Sequence, residues 1–218
     1  FFIFLTLYLI EGILIYVDKD KIIINTTNVV QLRYEAAKEK GVNFDKRKSL
    51  EVFFEKTNHY NDLRLDFSWH LKKRDEFAQA QNELNTSLVP LSGPMNKLVM
   101  SGNEDGVFKI LSKDKYGFKN NNNRYENKIE NILIGDSFVY AGTYKNVDDI
   151  SGQLLNKYDL NSLNFGITGT SFLSHYAVIK EYAVKLNPKN IYLFYYEGND
   201  LPELKLEFKN KLLLDYYN

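Results

Sequence analysis

Three short strings in the C-terminal third hold the residue types that acyl-transfer chemistry uses: Gly135-Asp136-Ser137, Gly166-Ile167-Thr168-Gly169 and Glu197-Gly198-Asn199-Asp200. Ser137 stands where a helix follows a short apolar run, and free N–H groups and the helix dipole favour negative charge at such a place. A serine so placed can act as a nucleophile, its own N–H facing the oxyanion formed on attack. Gly169 can offer a second N–H with no side chain in the way, and the Asn199 amide a third donor. In comparable sites each such donor is worth roughly 2.7–4 kcal/mol. Asp136 and Asp200 read as loop and cap residues, and Glu197 either binds substrate or faces water. Taken singly, every string also has a plain structural reading as a cap, a turn or a loop. Their order at three successive strand ends is what points to a serine hydrolase site.

The elements that must position these strings alternate strand and helix. Ile132-Leu133-Ile134 reads as a buried strand ending at Gly135, Ser162–Phe165 as a second ending at Gly166, and Ile191–Tyr196 as a third. Between them, Val147, Ile150 and Leu154 recur at helical spacing. Tyr176, Ile179, Ala183 and Leu186 mark an amphipathic helix that Pro188 closes. Strands joined by helices imply right-handed crossovers and a parallel sheet, with ligands bound outside the carboxyl ends of the strands.

Composition narrows the chemistry. The chain has 218 residues, 28 basic against 28 acidic, three histidines and no cysteine. Thiol nucleophiles, disulfides, iron–sulfur clusters and Cys-ligated zinc are excluded, a His-rich metal cage is disfavoured, and no diffuse basic surface for nucleic acid is expected. Hydroxyls, amides, carboxylates and backbone remain, and no metal or organic cofactor is expected.

The same residues carry a resemblance. Gly135-Asp136-Ser137-Phe138 resembles the first block of the SGNH (GDSL-type) hydrolase superfamily, Asn164-Phe-Gly-Ile-Thr-Gly169-Thr-Ser its second, and Gly198-Asn199-Asp200 its third. Phe138 replaces the commoner Leu. The resemblance implies a three-layer α/β/α, flavodoxin-like parallel sheet, with Ser137 as nucleophile and Gly169 and Asn199 completing the oxyanion hole. It implies an esterase or acyl-transfer enzyme acting on O-acyl, often acetyl, esters. Asp114–Asn120 and Tyr195–Leu201 look like a bacterial subgroup with an N-terminal membrane helix, similar to proteins of cell-surface carbohydrate modification. The family's fourth block, Asp-x-x-His, supplies the base and its orienting carboxylate. No Asp-x-x-His occurs after Asn199, and the sequence is read as stopping before that block. The alternatives are a catalytically silent relative that binds surface glycans, or His175 in the role of base.

Upstream, Phe1–Val17 is almost continuously apolar and is read as a transmembrane anchor, with an uncleaved signal or a core helix as alternatives. The expected organisation is an anchor over 1–17, a mixed helical and β connecting region over 18–128, and an incomplete SGNH-like domain over 129–218. Two helices are expected over 28–58 with a stop at Gly41, then a pair of short strands, Leu98–Met100 and Val107–Leu111, and a polar loop at Asn120–Asn123. Asp66 and His70, at i and i+4, form either an acid–base pair or a solvated surface pair. The expected partners are an acylated small molecule or polysaccharide and, through residues 1–17, a membrane, with the hydrolase domain extracytoplasmic. No nucleic acid is expected.

Overall fold

The computed structural model describes residues 26–66 and 91–217. These fall into two units, one within Phe1–Lys46 and Glu104–Val107, the other within Arg47–Asn103 and Phe108–Asn218. In the first, helix α1 (Thr26–Glu39) ends where Val42 N–H returns to Ala37 O at 2.8 Å, closing the turn over Gly41 as expected.

In the second unit, helix α2 (Ser49–Thr57) precedes a three-stranded sheet of β1 (Arg64–Leu65), β2 (Leu98–Met100) and β3 (Ile110–Ser112), in the order β1-β2-β3. β1 runs parallel to β2, and β2 pairs antiparallel with β3, Val99 opposite Leu111. The expected second strand at Val107 starts three residues later because Ser101 N–H closes the connection on Lys109 O at 2.8 Å. Val52, Leu63, Met100 and Phe108 form the core on this sheet.

The second sheet is the parallel one that the strand–helix alternation predicted. It consists of β4 (Asn131–Gly135), β5 (Ser162–Gly166) and β6 (Asn190–Leu193) in the order β5-β4-β6, with Ile132 opposite both Leu163 and Ile191. The fold is therefore mixed α/β. Every residue of β4 and β5 is buried, which is why the apolar ones are not diluted by a solvent-facing alternation. Phe118 stacks on Phe165 at 4.1 Å between ring centroids and joins Ile132, Ile134, Leu163 and Val178 in the largest core.

Helices α3 (Ser137–Tyr140), α4 (Ile150–Tyr158), α5 (Phe172–Val178), α6 (Asp200–Glu207) and α7 (Lys211–Tyr217) complete the unit. Three expectations need correcting. Helix α4 does not bury the stripe of Val147, Ile150 and Leu154; Val147 and Ile150 are exposed, and Ser151 and Gly152 face inward. The amphipathic helix after β5 is not one α-helix. α5 runs into a π turn, Ile179–Ala183, and a 3-10 turn, Val184–Leu186, and closes at left-handed Asn187 before Pro188. The π turn inserts a residue, so buried Val178 is succeeded by buried Ala183 five positions on, and Tyr176 faces solvent. Finally, β6 stops at Leu193, and Tyr196 N–H is captured by Asp200 Oδ2 at 2.7 Å; Tyr195 and Tyr196 lie beyond the strand, and both they and Tyr192 within it are exposed.

Among the described residues no helix is long and apolar enough to cross a membrane. The expected anchor over 1–17 and His70 lie outside them.

Candidate active site

Ser137 opens the single turn α3 immediately beyond the carboxyl end of β4, half-buried. Asp136 is the cap: its Oδ1 accepts Phe138 N–H at 2.9 Å, satisfying a free donor of the turn. β5 ends directly beneath. A Cβ on Gly166 would lie 2.2 Å from Tyr140 N, so only glycine lets the second strand end come this close to the serine turn. The turn closes at Ala141 in the left-handed region, φ 48°, a conformation costing a non-glycine residue about 1 kcal/mol or more. Buried Lys119 holds it there, donating from Nζ to Ala141 O at 2.8 Å while paired with Asp149 at 3.0 Å.

The second string forms the turn between β5 and α5. Gly169 has φ 75°, which a side chain would oppose. Thr170 Oγ1 donates to Ile167 O at 2.8 Å and lies 3.2 Å from His175 Nε2. Because the hydroxyl proton is committed to Ile167, Nε2 is the protonated nitrogen and donates to the threonine, leaving Nδ1 buried with no partner among the described residues. Burial lowers the His175 pKa to about 4, only partly opposed by the charge of Asp136, so the ring is neutral at pH 7. This histidine braces the glycine turn; its hydrogen bond is to Thr170, not to Ser137.

The third string follows β6 and caps α6. Asn199 Nδ2 donates to Asp136 Oδ2 at 2.9 Å and lies 3.5 Å from Glu203 Oε1, while its buried Oδ1 accepts nothing among the described residues. Asp200 is buried, its pKa raised chiefly by that burial and further by the nearby Asp136 charge. Asp136 and Asp200 are thus cap and turn acceptors. Glu197 is exposed and faces water.

All three strings stand at the carboxyl ends of adjacent parallel strands. Asp136 binds the first to the third, its Oδ2 meeting Asn199 at 2.9 Å and Ser137 Oγ at 3.5 Å, the latter a weak contact. The second joins the third where Ser171 Oγ donates to Asp200 O at 2.7 Å. Around them lie two aromatic pairs, Phe138 with Tyr196 at 4.5 Å and Phe172 with Tyr195 at 5.4 Å. The arrangement brings a hydroxyl, the amide of Asn199 and the backbone of the serine and glycine turns to the carboxyl end of one parallel sheet. Among the described residues no group of three His, Asp or Glu side chains is disposed to hold a metal ion.

Some of the supporting residues were not visible in the sequence. Asp66 is largely buried rather than a solvated surface group, and its expected pairing with His70 lies outside the described residues. It accepts the Tyr140 hydroxyl, lies 3.4 Å from buried Lys113, and lines a small cleft with Gly93, Gly117, Gly166 and Thr168. Tyr140 is three residues from Ser137, a spacing that does signal a shared turn. Asn120, expected in a loop, is buried and bonded to β5, and Glu207 caps α5 from 33 to 36 residues away. Contacts this distant leave no local pattern. In comparisons with known proteins, no protein-family model, no curated protein and no solved structure matches this chain.

Proposed function

We propose that the chain belongs to a serine esterase or acyl-transfer enzyme of the SGNH type, built on a flavodoxin-like α/β/α sheet and acting on O-acyl esters, acetyl esters in particular. Ser137 Oγ attacks the ester carbonyl, forming a C–O bond to the acyl carbon and giving its proton to the histidine of the Asp-x-x-His block that the resemblance implies, which returns it to the departing alcohol. The tetrahedral oxyanion is held by Ser137 N–H, Gly169 N–H and the Asn199 amide, and its collapse expels the alcohol and leaves an acyl-serine. Water or a sugar hydroxyl of cell-surface carbohydrate then takes the acyl group and releases the serine. The apolar composition of residues 1–17 supports membrane anchorage, with this chemistry on the extracytoplasmic side.

The observation that carries the reading is the convergence of Ser137, Gly169 and Asn199 on the carboxyl ends of three adjacent parallel strands, with Asp136 bonded to the asparagine amide. A different observation favours a second reading. The serine hydroxyl of a working triad is bonded to a base, whereas Ser137 Oγ contacts Asp136 and His175 is occupied elsewhere. That arrangement suits a silent module that keeps the crevice for glycan binding. Hydrolysis of a chromogenic acetyl ester by the whole protein separates the two. The esterase reading expects activity that disappears in Ser137→Ala and falls by about a hundredfold in Asn199→Ala. Undiminished activity in Ser137→Ala overturns the nucleophile assignment, and an inert wild type that retains glycan affinity favours the silent module.

A further inference from the structure

Glu207 ends helix α6, yet its carboxylate is buried against the start of a different helix. Oε1 accepts Ser171 N–H at 2.7 Å, and Oε2 accepts Leu173 N–H at 3.0 Å and Ser174 N–H at 3.4 Å; the Ser174 hydroxyl also donates to Oε1. These are the free donors of the first turn of α5, which every helix must satisfy. The normal supplier is the N-cap side chain. Here the N-cap is Ser171, and its hydroxyl is directed away to Asp200 O, so the cap comes from residue 207. A carboxylate is well suited to it, since its charge complements the positive end of the helix and its bonds to N–H groups are charge-assisted.

The consequence lies in what α6 also carries. Its first residues are Asn199, the cap, and Asp200, whose carbonyl holds Ser171. The Gly169 turn is therefore fastened to α6 at both ends of that helix: by Ser171 to Asp200 at the start, and by Glu207 to Ser171, Leu173 and Ser174 at the finish. Two attachments on one rigid segment about 10 Å long fix the turn in both position and rotation. A single attachment would leave it free to pivot. Thr170, between Gly169 and Ser171, is itself closed on Ile167 O, so the turn is held on both sides.

We infer that Glu207 is a positioning residue for the oxyanion hole, setting the Gly169 N–H relative to the Asn199 amide by clamping the start of α5 onto α6. It rests on the serine-esterase reading and adds a residue far from the reacting atoms in sequence. Glu207→Gln keeps the size but turns an amide N–H₂ toward backbone N–H groups, which opposes donor to donor. Since donors must stand about 2.7–3.1 Å from the developing oxyanion, a small displacement lowers turnover more than substrate binding.

The test compares Glu207→Gln, Ser171→Ala and Ser137→Ala in the whole protein. Acetyl-ester kinetics, boronic-acid affinity as a transition-state mimic and thermal melting are measured together. Glu207→Gln is expected to lower kcat by roughly tenfold or more with KM within about threefold, and to weaken boronic-acid binding by a similar factor to kcat/KM. Ser171→Ala, which releases the other fastening, is expected to show the same split to a lesser degree; it carries the test by itself if Glu207→Gln does not melt cooperatively. Wild-type kcat in the folded variants, or a raised KM at unchanged kcat, overturns the positioning role while Ser137→Ala remains inactive. Activity that persists in Ser137→Ala instead removes the reading on which the inference rests.

Discussion

The two edges of the parallel sheet are finished in opposite ways. At the β5 edge, side chains stand in for a neighbouring strand. Asn120 Nδ2 donates to Asn164 O at 3.0 Å and its Oδ1 accepts Asn164 N–H at 2.8 Å, the pair of bonds that an adjoining strand would make. Asp114 holds Asn120 from behind at 2.9 Å, and Arg124 donates to Ser162 O at 2.7 Å. At the β6 edge, Ile191 to Tyr196 are each 37–49% exposed, a row of six large apolar and aromatic residues. The first edge positions the serine turn through Lys119 and Asp149. The second leads into the Asn199 turn while its strand stays open to solvent. Rigidity in this fold is thus concentrated on the side of the serine and glycine turns, where Asn120, Arg124, Lys119 and Asp149 form a buried polar network that is costly to disturb.

This contrast can be broken first at its most buried charge. Lys119 and Asp149 both have side chains with no exposure, and burial lowers the lysine pKa against the pull of its partner. Lys119→Ala strands the aspartate and frees the strained Ala141 turn, so urea unfolding is expected to show a loss of about 3–5 kcal/mol. A loss under 1 kcal/mol would remove the claim that this edge is the rigid one. Next, Asn120→Ala leaves the Asn164 N–H and O unpaired in the interior and is expected to cost about 2 kcal/mol, with faster hydrogen exchange at the Asn164 amide.

The acid response of the glycine turn follows from His175. Its folded pKa of about 4 lies below the ordinary value of 6.5, so the unfolded chain binds the extra proton between these limits. The stability it contributes is present above pH 6.5 and is lost as pH falls toward 4, amounting to about 2 kcal/mol by pH 5. Wild type should therefore lose more stability than His175→Gln between pH 7 and pH 5; equal losses would show that the ring is not buried and neutral. The smallest effect is expected at the open edge, where Tyr192→Thr should change stability by no more than about 0.5 kcal/mol. A loss above 2 kcal/mol there would mean that β6 is covered.

Much of the scaffold was legible in the residues themselves. The apolar runs at Ile132–Ile134 and Ser162–Phe165 gave two strands to within a residue, and their terminal glycines marked where the serine and the second turn would lie. Periodicity misjudged the helices for definite reasons. α4 packs through Ser151 and Gly152, where close approach matters more than apolarity, and a π turn breaks the repeat after Val178. The polar supports were illegible because each is a long-range bond: Asn120 looks like loop composition and pairs with β5, and Glu207 looks like an exposed helix end and caps another helix. His175 lies close to the glycine turn in sequence and still serves it as a brace, since its proton is engaged by Thr170.

The central claim is that Ser137 is the residue that takes up the acyl group. Incubating the whole protein with a fluorophosphonate ester, followed by digestion and mass spectrometry of the peptides, tests it most directly. One phosphonyl adduct is expected on Ser137, prevented by an acetyl-ester substrate and missing from Ser137→Ala. An adduct on another residue, or labelling that is the same in wild type and Ser137→Ala, would contradict it.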